Sequence, residues 1–127
     1  MATTETMFIL SPTTEGTPPS ANAATLDTIS DASTPNIIIP VLDFDGATDE
    51  HYDWFRTVPS NYDGGGFTWS YKYAVDGTDV DIIELELRMR PLADLDILTA
   101  DLGIDTQTAS AIQDTPAATP TNKLNVT

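Results

Sequence analysis

The stretch FTWSYKYAV, residues 67–75, indicates the fold class, because bulky and small or polar side chains alternate along it without a break. Successive side chains of a β-strand point to opposite faces, so this period of two predicts a strand with one covered face. The face we expect to be covered carries Phe67, Trp69, Tyr71, Tyr73 and Val75. The opposite face carries Thr68, Ser70, Lys72 and Ala74.

A second alternating segment, VDIIELELRMR, residues 80–90, follows the turn DGTD. Ile83, Leu85, Leu87 and Met89 would point inward, and Pro91 would end the strand. The residues that would point outward are Glu84, Glu86, Arg88 and Arg90. We expect a core shared by two antiparallel sheets, that is, a β-sandwich. Its predicted core residues are Trp69, Tyr71, Leu85 and Leu87.

The turn between the aromatic segments has an unusual composition. It reads PSNYDGGG from Pro59, and its Asn, Asp and Gly residues tolerate positive φ. We therefore predict a tight corner at which the chain changes sheet. The residues assigned to it are Pro59, Asn61, Tyr62, Asp63, Gly64 and Gly65.

The rest of residues 36–127 has weaker patterns. NIIIPVLDF, residues 36–44, predicts an edge or bulged strand because Pro40 lacks an N–H donor. The side chains of residues 51–58 alternate between two faces, each of which carries an aromatic ring. Residues 106–115 predict a poor strand. LADLDILTADLGID, residues 92–105, predicts one short helix ended by Gly103. KLNVT, residues 123–127, starts a strand whose pairing a neighbour would supply, unless the sequence given is shorter than the gene product.

Residues 1–35 are rich in Thr, Ser, Ala and Pro and contain no Lys or Arg. Such a segment buries too little apolar surface to offset its ordering entropy, so we expect an extended arm. The arm would be held by a partner chain or laid back across its own domain. Its predicted anchor is the apolar cluster Phe8, Ile9 and Leu10.

The net charge of −15 limits the possible partners. Phosphate backbones and anionic membrane surfaces would repel the chain, so we expect neither nucleic acid nor a membrane as a partner. The negative charge either keeps the protein soluble or attracts a basic partner or bound cations. The chain has no cysteine for disulfides or thiolate metal sites.

No residue pattern predicts catalysis, and we expect a protein that is not an enzyme and has no cofactor. The single histidine, His51, lies in a predicted strand and lacks a recognisable nucleophile motif. The acidic turns DFDGATDE and DGTDVD offer oxygen ligands, but neither matches a helix-flanked calcium loop, so no metal site is assigned.

The segment FDGATDEHYDWFRTVPSNYDGGGFTWSYKY resembles a pattern of small virion proteins of tailed bacteriophages. The resemblance spans about residues 37–90 and implies an antiparallel jelly-roll β-sandwich without enzymatic activity. It does not include the arm, and the basic-acidic segment with which those proteins continue is absent here. The matching positions are Ala47, Thr48, Asp49, Glu50, Pro59, Asn61, Tyr62, Asp63, Gly64, Gly65 and Trp69.

These observations predict a capsid decoration or cement protein, a trimer that binds the major capsid protein on the outer surface of a virion assembled in the host cytoplasm. One alternative is a tail, neck or fibre component. Another, of a different class, is a carbohydrate-binding or adhesion module that stacks sugars on Trp54, Trp69 and the tyrosines.

Overall fold

The computed structural model describes residues 6–34 and 36–127. Among these residues it has eight β-strands and no helix, so the all-β prediction is confirmed. Each strand pairs with one antiparallel partner, which gives four two-stranded sheets. The chain divides into two compact units, residues 1–65 and 66–127.

The first unit contains two of these sheets. Strand β1 (Gly16–Thr17) pairs with β4 (Asp53–Trp54), and β2 (Thr25–Ser30) pairs with β3 (Ile38–Asp43). The β2–β3 ladder is the longer one, with Thr25 opposite Asp43 and Ser30 opposite Ile38. Because this sheet has only two strands, β3 is an edge strand, as Pro40 predicts.

Pro40 is accommodated in β3 by its position in the ladder. The Asp31 N–H donates to the Ile37 carbonyl at 3.0 Å, just beyond the paired strands. Hydrogen-bonded and non-hydrogen-bonded pairs alternate in an antiparallel ladder. This alternation places the pair Thr28–Pro40 in a non-hydrogen-bonded position, where the absent N–H would have pointed away from β2. The proline therefore costs the ladder no bond.

Buried residues in the first unit cluster beside the β1–β4 pair. Ala24 and Tyr52 are the buried apolar residues there, and the rings of Tyr52 and Trp54 lie 5.1 Å apart. Backbone bonds hold the two segments together: Ala24 N donates to the His51 carbonyl at 3.1 Å, and His51 N to the Asn22 carbonyl at 2.9 Å. Tyr52 and Trp54 therefore build this small core, whereas Phe55 of the same segment is exposed.

The expected arm forms strands in this structure. Residues 16–17 and 25–30 pair with strands of the same chain, and the domain boundary expected at residue 36 lies inside the β2–β3 hairpin. Residues 1–5 and Pro35 of the expected arm lie outside the described residues.

The second unit contains the two alternating segments. Strand β5 (Lys72–Tyr73) pairs with β8 (Asn125–Val126), and β6 (Ile83–Leu87) pairs with β7 (Ser110–Asp114). Partly buried and exposed residues alternate from Trp69 to Val75 and along β6, as the period of two predicts. Phe67 and Met89, which were expected on the same covered faces, are exposed. The strand expected at the end of the chain pairs with β5 of the same chain and needs no neighbour for this pairing.

The predicted helix at residues 92–105 is wrong. The segment forms turns instead, with Asp96 N bonded to the Ala93 carbonyl and Ala100 N bonded to the Ile97 carbonyl. Asp96 Oδ2 accepts the Ala93 N–H at 2.8 Å, and aspartate side chains that capture nearby backbone donors compete with helix formation. Leu95, with φ of 73°, also interrupts a right-handed helix.

The Gly64→Ala substitution should lower the free energy of unfolding by about 1 kcal/mol, because Gly64 has φ of +85°. No neighbouring atom lies within 4 Å of a Cβ built there, so backbone strain is the whole effect. Gly66→Ala is the matched control, since its site is equally open and its φ is not positive. Urea denaturation measures both, and equal values would contradict the strain argument.

Candidate interaction surface

The β2–β3 hairpin exposes apolar side chains on both faces. Directly opposite residues of an antiparallel pair point to the same face, so the register assigns each residue to a face. The uncharged face carries Leu26, Thr28, Ser30, Ile38, Pro40 and Leu42. The acidic face carries Thr25, Asp27, Ile29, Ile39, Val41 and Asp43, with Asp31 and Ile37 adjoining at the end of the ladder.

The exposure of this hairpin is high for aliphatic side chains in a paired strand. Ile38 is 63% exposed, and Leu26 and Ile39 are each 54% exposed. An antiparallel sheet of a folded domain normally covers at least one apolar face. A single two-stranded hairpin is at best marginally stable in water, so this element gains stability when another surface covers it.

The two outer edges of the hairpin are poor templates for adding a strand. On β2, the outward Thr28 N–H is already bonded to Asp27 Oδ1 at 2.7 Å. On β3, Pro40 has no N–H at the matching position of the ladder. Prolines and occupied donors on an edge oppose strand addition, so the faces are better binding surfaces than the edges.

Charge in the first unit is almost entirely negative. By sequence, residues 1–65 carry ten acidic residues and one basic residue, Arg56. Arg56 Nη1 is bonded to Glu15 Oε2 at 3.0 Å. Among the described residues, no ion pair involves Asp27, Asp31 or Asp43, which lie along the exposed hairpin.

The predicted anchor of the arm is partly exposed. Ile9 is 70% exposed and Leu10 is also exposed, whereas Phe8 is half-buried. The Ser11 carbonyl, next along the chain, accepts a hydrogen bond from Trp54 Nε1 at 2.9 Å. The anchor residues thus precede a point that is fixed to the first unit.

The predicted turn residues form a local structure. Tyr62 N donates to the Pro59 carbonyl at 3.1 Å, Gly65 N donates to Asp63 Oδ1 at 2.9 Å, and the Tyr62 hydroxyl is bonded to the Gly65 carbonyl. Asn61 lies at the turn, and Gly64 has the positive φ. The boundary between the compact units follows Gly65.

The predicted core residues lie in the second unit and are half-buried. Trp69 stacks on Tyr71 with ring centroids 5.8 Å apart, and Leu85 and Leu87 lie on the partly buried face of β6. The Tyr71 hydroxyl is 3.2 Å from the carbonyls of Ile83 and Ile112. None of the four is fully buried, so a core between two sheets stays a prediction.

An open cavity of about 300 Å³ adjoins this face. Sequence reasoning did not find it, because its lining combines the aromatic segment with strand ends that are distant in sequence. Its lining residues are Phe67, Trp69, Leu87, Met89, Gln107, Thr108 and Ser110. Trp69 Nε1 is bonded to Ser110 Oγ at 3.0 Å at the wall.

Neither tryptophan is a fully exposed platform for sugar stacking. Both are half-buried, and both ring N–H groups are bonded within the chain, Trp54 to the Ser11 carbonyl and Trp69 to Ser110. The structure thus gives the carbohydrate-binding alternative no specific support.

The carboxylates of the acidic turns bind backbone donors. Asp45 N donates to Glu50 Oε2 at 2.7 Å, and Asp81 N donates to Asp79 Oδ1 at 3.0 Å. Within residues 6–34 and 36–127, no group of three or more His, Asp or Glu side chains is arranged to hold a metal ion. His51 is exposed and bridges to Ala23 through its backbone.

Tyr73 should titrate anomalously. Burial, with a 2.8 Å hydrogen bond to Asp114 Oδ2, raises the pKa of its hydroxyl from 10.0 to about 12. Because the folded-state pKa exceeds the unfolded one, this contribution to stability is complete below pH 10 and is lost as pH rises through about 12. The ultraviolet titration curve of the Tyr73→Phe variant, subtracted from that of the wild type, gives the titration of this hydroxyl. A midpoint of the difference curve near pH 10 would contradict this environment of Tyr73.

Comparisons with known proteins identify no relative. No family model, no curated protein and no solved structure matches the chain. The part of the chain that the structure describes contains no helix that could span a membrane.

Proposed function

We propose that this chain is a structural protein of a virus particle, a capsid decoration protein that stabilises the head by binding the major capsid protein. The observation that carries the proposal is the exposed apolar β2–β3 hairpin on a strongly acidic chain. Exposed aliphatic residues on both faces of a paired strand are typical of a subunit whose surface is covered on assembly.

The resemblance of residues 37–90 to small virion proteins of tailed bacteriophages supports the same assignment. The matching turn, from Pro59 to Gly65, is a hydrogen-bonded structure with one glycine at positive φ. Such a turn has a structural use and needs no catalytic role. The proposal accordingly includes no enzymatic activity and no cofactor.

The proposed assembled form is a trimer on the outer capsid surface. There, contacts with neighbouring chains would cover the exposed sheet faces and complete a jelly-roll β-sandwich. Side chains that are half-buried in the single chain, such as Leu85 and Trp69, would then become core residues. Phe8, Ile9 and Leu10 would occupy an apolar groove of a capsid subunit.

A tail or neck component is the alternative within the same class, and stoichiometry separates the two. A decoration protein occupies repeated sites over the whole shell, roughly hundreds per particle, whereas a tail or neck ring holds about a dozen copies.

An add-back experiment tests the anchoring part of the proposal. Capsids prepared without the protein should rupture at a lower temperature, and added full-length protein should restore their stability. A variant lacking residues 1–10 should keep its fold, because it retains Ser11 and all described strands. Its affinity for capsids should fall at least about tenfold, since its apolar anchor is lost.

The matched control for that deletion replaces Thr13 and Thr14 by alanine, which leaves the apolar cluster in place. Binding of the truncated form as tight as that of the full chain would exclude Phe8, Ile9 and Leu10 as the anchor.

A further inference from the structure

We infer that the acidic face of the β2–β3 hairpin docks flat on a protein surface whose aliphatic centre is framed by Lys and Arg side chains. This names the partner chemistry for the assembly role proposed above and rests on that role. Its test uses no virus particle, so either idea can fail without the other.

The need for a covering surface follows from the composition of the face. Ile29, Ile39 and Val41 form an aliphatic strip across the two strands, and Ile37 extends it at one end. Ile37 is 64% exposed, and Ile39 is exposed as well. Removing this strip from water is favourable in proportion to the apolar area covered.

The blocked edges determine how a partner binds. Strand addition needs a run of free backbone donors and acceptors along one edge. The outward donor of Thr28 is occupied by Asp27, and Pro40 provides none on the other strand. A partner therefore gains more by lying across the acidic face than by extending the ladder.

The charges on this face select the partner. Asp27 and Asp43 lie on the face itself and Asp31 adjoins it, so the aliphatic strip is bordered by carboxylates. A second copy would bring the same carboxylates together on a chain of net charge −15 and would be repelled. A surface with Lys or Arg around an aliphatic centre matches both the strip and its border.

The experiment adds a synthetic amphipathic peptide of Leu and Lys to the full chain. A peptide of Leu and Glu with the same pattern is the control. We expect the Lys peptide to shift the NMR signals of the β2–β3 amides and to slow their hydrogen exchange. The Glu peptide should leave both unchanged.

Two triple variants locate the binding. Asp27→Asn/Asp31→Asn/Asp43→Asn should lower the affinity for the Lys peptide about tenfold, because three exposed ion pairs with the peptide are lost. Asparagine keeps the Oδ1 acceptors that bind the Thr28 and Ile37 N–H groups, so the hairpin stays intact. Asp49→Asn/Asp63→Asn/Asp76→Asn changes the net charge equally at exposed positions outside the β2–β3 hairpin and should retain wild-type affinity.

Equal weakening by the two variants would overturn the inference, because binding would then follow net charge alone. Equal binding of the Glu peptide would also overturn it. Sedimentation that shows a dimer, with β2–β3 amides protected in the absence of peptide, would make a second copy the occupant and would contradict the assigned partner.

Discussion

The Gly16→Ala substitution should lower the free energy of unfolding by about 1–3 kcal/mol, the usual cost of forcing extra atoms into a packed site. A Cβ at position 16 would lie 2.5 Å from Tyr52 Cε1 and 2.8 Å from Trp54 Nε1. Tyr52 is only 8% exposed, and Trp54 Nε1 is bonded to the Ser11 carbonyl, so neither ring moves without losing contacts.

Chemical denaturation measures this effect, and Gly46→Ala is the matched control because no atom lies within 4 Å of a Cβ built there. Trp54 fluorescence should also change in the Gly16 variant alone. If both variants had the stability of the wild type, the packing described beside β1 and β4 would be contradicted.

The Leu85→Ala substitution should cost about 1–3 kcal/mol, less than a fully buried leucine because this side chain is half-buried. Leu85 lies opposite Ile112 in the β6–β7 ladder and shares its partly buried face. Removing it therefore weakens the longer sheet of the second unit.

Glu86→Ala is the control on the opposite, exposed face of β6. Its ion pair with Arg88, at 3.4 Å, is exposed and should contribute little. A cost for Glu86→Ala equal to that for Leu85→Ala would contradict the assignment of the two faces.

The period of two in the sequence predicts which faces are covered more reliably than how far strands pair. Residues 69–75 alternate in burial as expected, yet only Lys72–Tyr73 forms a ladder within that stretch. Alternation reflects side-chain environment, whereas ladder length depends on a partner strand, here the last residues of the chain. A local pattern contains no information about that distant partner.

The β2 strand shows a second limit of sequence reasoning. TLDTIS at residues 25–30 contains only two aliphatic residues and lies in a Thr- and Ser-rich segment, so it predicts no strand. Pairing with β3, which is strongly β-branched, supplies the structure that local propensity lacks. The error at residues 92–105 has the opposite cause, since helix-compatible spacing was outweighed by Asp side chains that bind the backbone.

The candidate surface was partly predictable. Net charge leaves a basic partner open as an alternative to a role in solubility, and NIIIPVL predicts an apolar strand. That both faces of this strand are exposed follows only from its pairing with a single neighbour. The cavity beside Trp69 was not predictable, because it depends on contacts between segments far apart in sequence.

We propose that the chain is a subunit of a virus particle, and the copy number of the protein in purified particles tests this proposal most directly. Quantitative mass spectrometry against the major capsid protein should give a fixed ratio, roughly hundreds of copies per particle. About a dozen copies would place the chain in the tail or neck instead of the shell. Complete absence from purified particles would contradict the account.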